Sequence, residues 1–342
     1  MTSHEYILSL TKNIVPSYRY DYKEDFNAWQ KRAKEKLSDL LGLPLTMPSE
    51  DKYTVTEEYE KFGLSFMKFT FQSEEGYFVP CCLVKKIGHT GKAPLVICLQ
   101  GHTTGMHISL GDEIFERDAK SKAAGQKFAI DAANEGCVAI AVEQRYMGIQ
   151  GYKDMRGRPA CIAASDDMDA NQAIPSLLIG RVPIGERVWD VSRTIDLALN
   201  RFADIIDENK IICLGNSGGG TATFYASCLE ERIALSVPSC AVCTFEESIM
   251  AMNHCICNYI PKIRKYFDMG DIGALISPRK AVVVCGDEDP IFPLPGVEKS
   301  FDLMKKAYSH AGVEDKCRLV IGKGGHAFYP KDAWPVIHEL ID

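Results

Sequence analysis

The sequence predicts a doubly wound α/β fold, with a mostly parallel sheet of about eight strands and helices on both faces. Two features carry this expectation. Short, nearly continuous apolar runs recur from residue 94 to residue 321, as strands buried on both faces require. Between them lie stretches with helical periodicity, and strand-helix alternation with right-handed crossovers builds a parallel sheet. The chain has 342 residues, 46% hydrophobic and 25% charged. That is enough for one large core, and no Pro/Gly/Ser-rich or charge-rich linker divides it, so residues 1–342 are expected to form a single domain.

Residues 1–50 form an expected helical extension. Phe26, Trp29, Ala33, Leu37 and Leu40/Leu41 recur at spacings of three and four before the stop at Gly42-Leu43-Pro44. β-Branched and aromatic residues then mark strands at 53–59, 64–72 and 77–86, an antiparallel opening at one sheet edge. The buried runs follow at 94–99, 137–142, 211–214, 234–238, 281–285 and 317–321. Helices are expected at 121–135, 187–204, 218–231, 297–311 and 331–341, with Trp189 and Asp190 starting the second of them and Asp190 favouring its N-terminal dipole end. Two intervals exceed an ordinary crossover, 144–186 and 240–279. Both are expected to cap the C-terminal ends of the strands, where open α/β sheets bind ligands.

The formal charge of −7, with both signs interspersed, argues against nucleic acid as a partner and suits a small neutral molecule. No run of eighteen apolar residues and no basic, apolar leader occurs, so a soluble cytoplasmic protein without membrane contact is expected. Thirteen cysteines, several of them inside apolar runs, read as reduced, buried thiols. The oligomeric state stays open, a homo-oligomer included.

The chemistry centres on Ile211-Ile-Cys-Leu-Gly-Asn-Ser217-Gly-Gly-Gly, which reads as strand, G-x-S-x-G turn, helix. Small neighbours let a serine stand on a strained turn at a helix N-terminus, where the amide of Gly218 and the helix dipole face a developing oxyanion. The run lacks the lysine of a phosphate-binding loop. A serine hydroxyl needs a base and an acid that orients the base, here expected in the chain order Ser, acid, His. His326 follows the last buried run in Gly-Lys-Gly-Gly-His and is the expected base; His4, His89, His310 and His338 fall in the extension, a turn or helices. The acid lies in Gly286-Asp-Glu-Asp-Pro290. Asp289, biased to extended backbone by Pro290, is the expected member, with Asp287 and Glu288 as competitors. The loop Gln100-Gly-His-Thr is expected to supply a second oxyanion amide, from His102 or Thr103.

Gln100, Thr103, Arg145 and His254 are candidate pocket residues, although Arg145 reads more readily as a structural ion pair than as a substrate contact. Cys240, Cys243, Cys255 and Cys257, with His254 between the pairs, are a rival zinc set. Because C-x-C makes a poor half-site in an apolar segment, buried thiols are the default, and neither metal nor organic cofactor is expected.

Taken together, Gln100-Gly101-His102, Gly-Glu-Arg-Val-Trp-Asp (185–190), Gly-Asn-Ser-Gly-Gly, Asn253-His-Cys-Ile-Cys-Asn-Tyr-Ile-Pro261, Ser277-Pro-Arg279 and Gly286-Asp-Glu-Asp-Pro290 resemble the acetyl xylan esterase-like and dienelactone hydrolase-like α/β-hydrolases. The resemblance spans about residues 60–340. It implies an α/β-hydrolase fold, a triad of Ser217, Asp289 and His326, and hydrolysis of a short acyl ester such as a sugar acetate. The chain departs from dienelactone hydrolases, which use cysteine as nucleophile, and from relatives with histidine at the position of Gln100. A peptidase or amidase of the same fold, or a non-catalytic small-molecule binder on this scaffold, are the alternatives.

Overall fold

A computed structural model describes residues 1–150, 173 and 175–341. Nine strands form one sheet: β1 (Tyr53–Lys61), β2 (Leu64–Glu74), β3 (Tyr77–Lys86), β4 (Ala93–Leu99), β5 (Val138–Val142), β6 (Ile206–Asn216), β7 (Ile233–Ser239), β8 (Lys280–Gly286) and β9 (Cys317–Gly322). Their order is β1-β2-β3-β5-β4-β6-β7-β8-β9. The first three strands and the β3–β5 pair are antiparallel; every later pair is parallel. All nine strand positions coincide with segments expected from the sequence. β6 begins five residues before its apolar run, because Ile206 and Asp207 already pair with Ala93 and Pro94 ahead of a register shift.

The two faces of the sheet carry separate cores. Leu95, Ile97 and Leu99 of β4 face α2 (Phe26–Leu40), α5 (Pro183–Arg201) and α6 (Gly218–Leu229). Val96 and Cys98 face α4 (Phe128–Asn134) and α10 (Pro330–Ile341) on the other side, as period-two alternation dictates. The extension holds α1 (Ser3–Thr11) and α2. The latter buries Phe26, Trp29, Ala33 and Leu37, the stripe expected of it. Gln30 donates to the carbonyls of Leu275 and Ser277, which fastens the extension to the domain.

Three elements differ from the sequence expectation. The stretch 121–135 is two helices, α3 (Asp118–Ala123) and α4. It breaks at Gly125, whose φ of +78° and close approach to the carbonyl of Phe328 no side chain would tolerate. Helix α5 starts at Pro183, not near Trp189; Asp190 therefore lies inside the helix and buried, with no place at the positive end of the dipole. Within 240–279, α7 (Ile263–Tyr266), α8 (Met269–Gly273) and the 3-10 turn after it put Ile263, Ile272, Leu275 and Ile276 into the main core beside α9 (Leu294–His310). Of the other expected insertion, residues 151–172 and 174 lie outside the described residues. No described helix is long and apolar enough to cross a membrane.

Candidate active site

β6 ends at Asn216 and α6 starts at Gly218, leaving Ser217 at φ 56°, ψ −123°. Such a conformation costs a non-glycine residue on the order of 1–3 kcal/mol. Tertiary contacts hold it: the Ser217 amide donates to the Ser239 carbonyl at 2.9 Å, and the Thr221 amide donates to the Ser217 carbonyl at 2.7 Å. The crossing of β4, β6 and α6 leaves no room for a methyl at Gly219, where a Cβ would stand 2.1 Å from the carbonyl oxygen of Leu99. The glycines flanking Ser217 are thus required by packing.

The Ser239 hydroxyl donates to Asn216 Oδ1 at 2.8 Å and lies 3.5 Å from the Ala327 carbonyl of the histidine loop, so this turn and that loop are neighbours. Next to Ala327, His326 Nδ1 lies 2.8 Å from Asp289 Oδ2. The structure thus brings Ser217, His326 and Asp289 to one end of the sheet, on the loops after β6, β8 and β9. Asp289 is 4% exposed. Burial raises its carboxyl, but the bond and charge of His326 and the amides of Ile291 and Phe292 outweigh this and hold it below the usual carboxylate range. The two competing acids are exposed. Asp287 instead accepts from the Gly324 amide at 2.8 Å and fixes the loop that carries His326.

The loop after β4 lies directly against the elbow, a Cβ on Gly101 coming 3.2 Å from that of Ser217. Of the two candidate amides there, that of Thr103 is engaged with the Gly101 carbonyl at 2.8 Å, which leaves His102. Gln100 does not face the site. Its side chain is fully buried and donates to Glu143 at 2.9 Å. The Glu143 carboxylate also receives the Met106 amide, and burial pushes it up to about 8 against these donors. Sequence reasoning passed over Glu143, although a lone carboxylate closing a buried parallel strand was its signal.

Arg145 is likewise directed elsewhere. It forms a fork with Asp190 at 2.7 and 2.8 Å, pairs with Glu74 at 2.6 Å, and lies 4.0 Å over the Tyr77 ring. Its charge joins α5 to β2 and to the loop after β5. The four-cysteine zinc set is not gathered. Among the described residues, the group with donor atoms within 4.8 Å of one another is Cys240, Asp289 and His326, and Cys240 there donates to the Ala327 carbonyl at 3.3 Å.

His254 is brought close. Its Nδ1 accepts from the Cys255 amide at 3.1 Å and sits 3.0 Å from Asn258 Nδ2, so its hydrogen is on Nε2, a buried atom without a partner. Burial pushes this histidine down to about 4. Phe292 stands between it and His326, edge-on to the first and stacked on the second. A cavity of about 970 Å³, lined by Leu8, Ile14, Phe245 and Met250 among others, shares Asn258 with this cluster. Ser217, His326 and Asp289 do not line it.

The sequence profile of the Abhydrolase family matches residues 2–321. YtaP of Bacillus subtilis (strain 168), named as a candidate hydrolase, is 28% identical over 297 residues, 86% of this chain and 92% of its own. Among solved structures, a Bacteroides fragilis NCTC 9343 protein described as a candidate acetyl xylan esterase has a TM-score of 0.76 at 18% identity. The match covers 93% of this chain and 82% of that one. The glucuronoyl esterase of Solibacter usitatus has a TM-score of 0.69 at 14% identity, over 96% and 98%. At these identities the two structures show the shared fold.

Proposed function

The chain belongs to the Abhydrolase family, and from that premise we propose a serine carboxylesterase that removes short acyl groups, acetyl foremost, from carbohydrate alcohols. One observation carries the proposal: the 2.8 Å His326–Asp289 pair, on loops neighbouring the strained Ser217 turn. A serine at such a turn, served by an imidazole whose other nitrogen a buried carboxylate holds, is equipped for acyl transfer. The esterase descriptions of the two similar structures agree with an ester substrate.

In this scheme His326 takes the Ser217 proton as Oγ attacks the ester carbonyl. The Gly218 and His102 amides receive the oxyanion, and the positive end of α6 adds to them. The alcohol leaves with the proton from His326, and water, deprotonated by the same histidine, then releases the acid from the acyl-enzyme.

Initial rates on p-nitrophenyl acetate, longer p-nitrophenyl esters, an acetylated xylo-oligosaccharide and aminoacyl amides test this directly. Turnover of the acetates, falling as the acyl chain grows, is expected. Cleavage of the amides alone would replace the esterase with a peptidase.

A further inference from the structure

His102 does more in this site than offer its backbone amide. The ring edge carrying Nδ1 and Cε1 lies against Gly218, where a Cβ would come within 2.3–2.4 Å of those two atoms. A side chain at Gly218 is excluded by this imidazole. The other ring nitrogen, Nε2, lies 3.4 Å from Cys257 Sγ.

Cys257 is no ordinary packing thiol. It is 1% exposed, yet three groups converge on its sulfur. Asn258 Nδ2 donates to it at 3.6 Å, His102 Nε2 is in contact, and the Cys255 thiol points at it. Behind it lies Arg187, itself 3% exposed, which donates through Nε to the Arg145 carbonyl and leaves Nη1 without a partner. With Asn258 Nδ2 and the Cys255 thiol directed at its lone pairs, the sulfur has its own proton left to share with His102 Nε2. The Cys255 bond, ahead of the His102 and Arg187 charges, holds this thiol well below its ordinary range despite complete burial.

From this geometry we infer that the His102 imidazole, held by Cys257, presents its Nδ1–H on the Gly218 side of the site as a further oxyanion donor. Whichever atom of the sulfur–imidazole pair holds the shared proton, Nδ1 keeps its own. Cys257 thereby acts as a positioning residue. The inference rests on the esterase reading for its kinetic consequence but not for the tautomer it assigns.

Two measurements on the full chain test it. The first compares kcat and KM on p-nitrophenyl acetate for wild type, H102A, H102N, C257A and H102N/C257A, with thermal unfolding as a folding control. A missing oxyanion donor costs on the order of 10²–10³ in kcat. H102A should therefore lose about that factor in kcat with KM little changed, and C257A about tenfold. Asn places an amide N–H near the Nδ1 position without needing the sulfur. H102N should then keep most of the rate, and adding C257A to it should cost nothing further. Full kcat in H102A, or a C257A loss that persists in the H102N background, would overturn the assignment and leave Cys257 a packing residue. The second measurement is independent of turnover: ¹⁵N imidazole spectra of the folded protein should show Nδ1 of His102 protonated, and an unprotonated Nδ1 overturns the inference. Absence of ester turnover in the wild type would count against the esterase reading alone, with the spectra still deciding the tautomer.

Discussion

Ser217 occupies positive φ on the turn between β6 and α6, held by the Ser239 carbonyl, with its Cβ close to Gly101 in the loop that carries His102. Replacing it with alanine relieves none of that strain and removes the proposed nucleophile. Ester turnover should fall by about 10⁴-fold or more, with the unfolding temperature almost unchanged. Among the three carboxylates after β8, Asp289→Asn should cost about 10⁴-fold in kcat by turning the imidazole to the wrong tautomer. Asp287→Asn should keep kcat within a few-fold, because Asp287 holds only the Gly324 amide. Equal losses in the two variants would reverse the assignment of the acid. Because the Asp289 carboxyl is held low in the fold, its contribution to stability is present above the ordinary carboxylate range and disappears as pH falls through its lowered value. The acid limb of the stability curve should therefore flatten in the Asn variant. The sequence made Ser217, Asp289 and His326 legible because each follows a buried strand in fixed order. It singled out Cys257 as a candidate metal ligand and did not reveal its contact with His102 or the inward turn of Gln100, since these depend on which loops meet in space.

At the scale of elements, close approach explains several glycines. A Cβ on Gly185 would stand 2.0 Å from the Leu41 carbonyl, so the first turn of α5 is pressed onto the end of α2. Gly185→Ala should cost about 1–3 kcal/mol by overpacking, measurable as a shift in the denaturant midpoint. The loop after β4 rests on buried Glu143, pushed up to about 8. A carboxyl raised in the fold favours folding while it stays protonated, so the wild type should lose stability as pH rises from the ordinary carboxylate range toward that value. Glu143→Gln should remove this slope; unfolding temperatures of both proteins across that window check it. Strand positions were readable from their apolar runs and the start of α6 from its glycines, whereas the break between α3 and α4 and the start of α5 were not. The break at Gly125 is set by the Phe328 backbone, more than two hundred residues away, and the start of α5 by Pro183.

Across the whole molecule, the sheet brings residues from five separate loops to the C-terminal ends of its parallel strands, and buried polar groups lock those loops to one another. Arg145 joins β2, α5 and the loop after β5; at the opposite, N-terminal end of the strands Arg279 gathers the carbonyls of Ser227, Glu230 and Ile233. The doubly wound class followed from strand-helix alternation alone. The charge network could not, because Arg145 and Asp190 are forty-five residues apart and neither shows its partner in the sequence. Removing Asp190 breaks the two-bond fork to buried Arg145, leaving it Glu74 and Glu186, and takes the acceptor from the Ser73 hydroxyl. Asp190→Ala should therefore destabilise the fold by about 3–5 kcal/mol, as denaturant unfolding would show. The account as a whole turns on Ser217 as the acylated atom. Labelling the folded protein with a fluorophosphonate and mapping the adduct by peptide mass spectrometry tests it most directly. One adduct, on the peptide containing Ser217 and lost in Ser217→Ala, is the expected result; no adduct, or one carried by Cys257 or another residue, would contradict it.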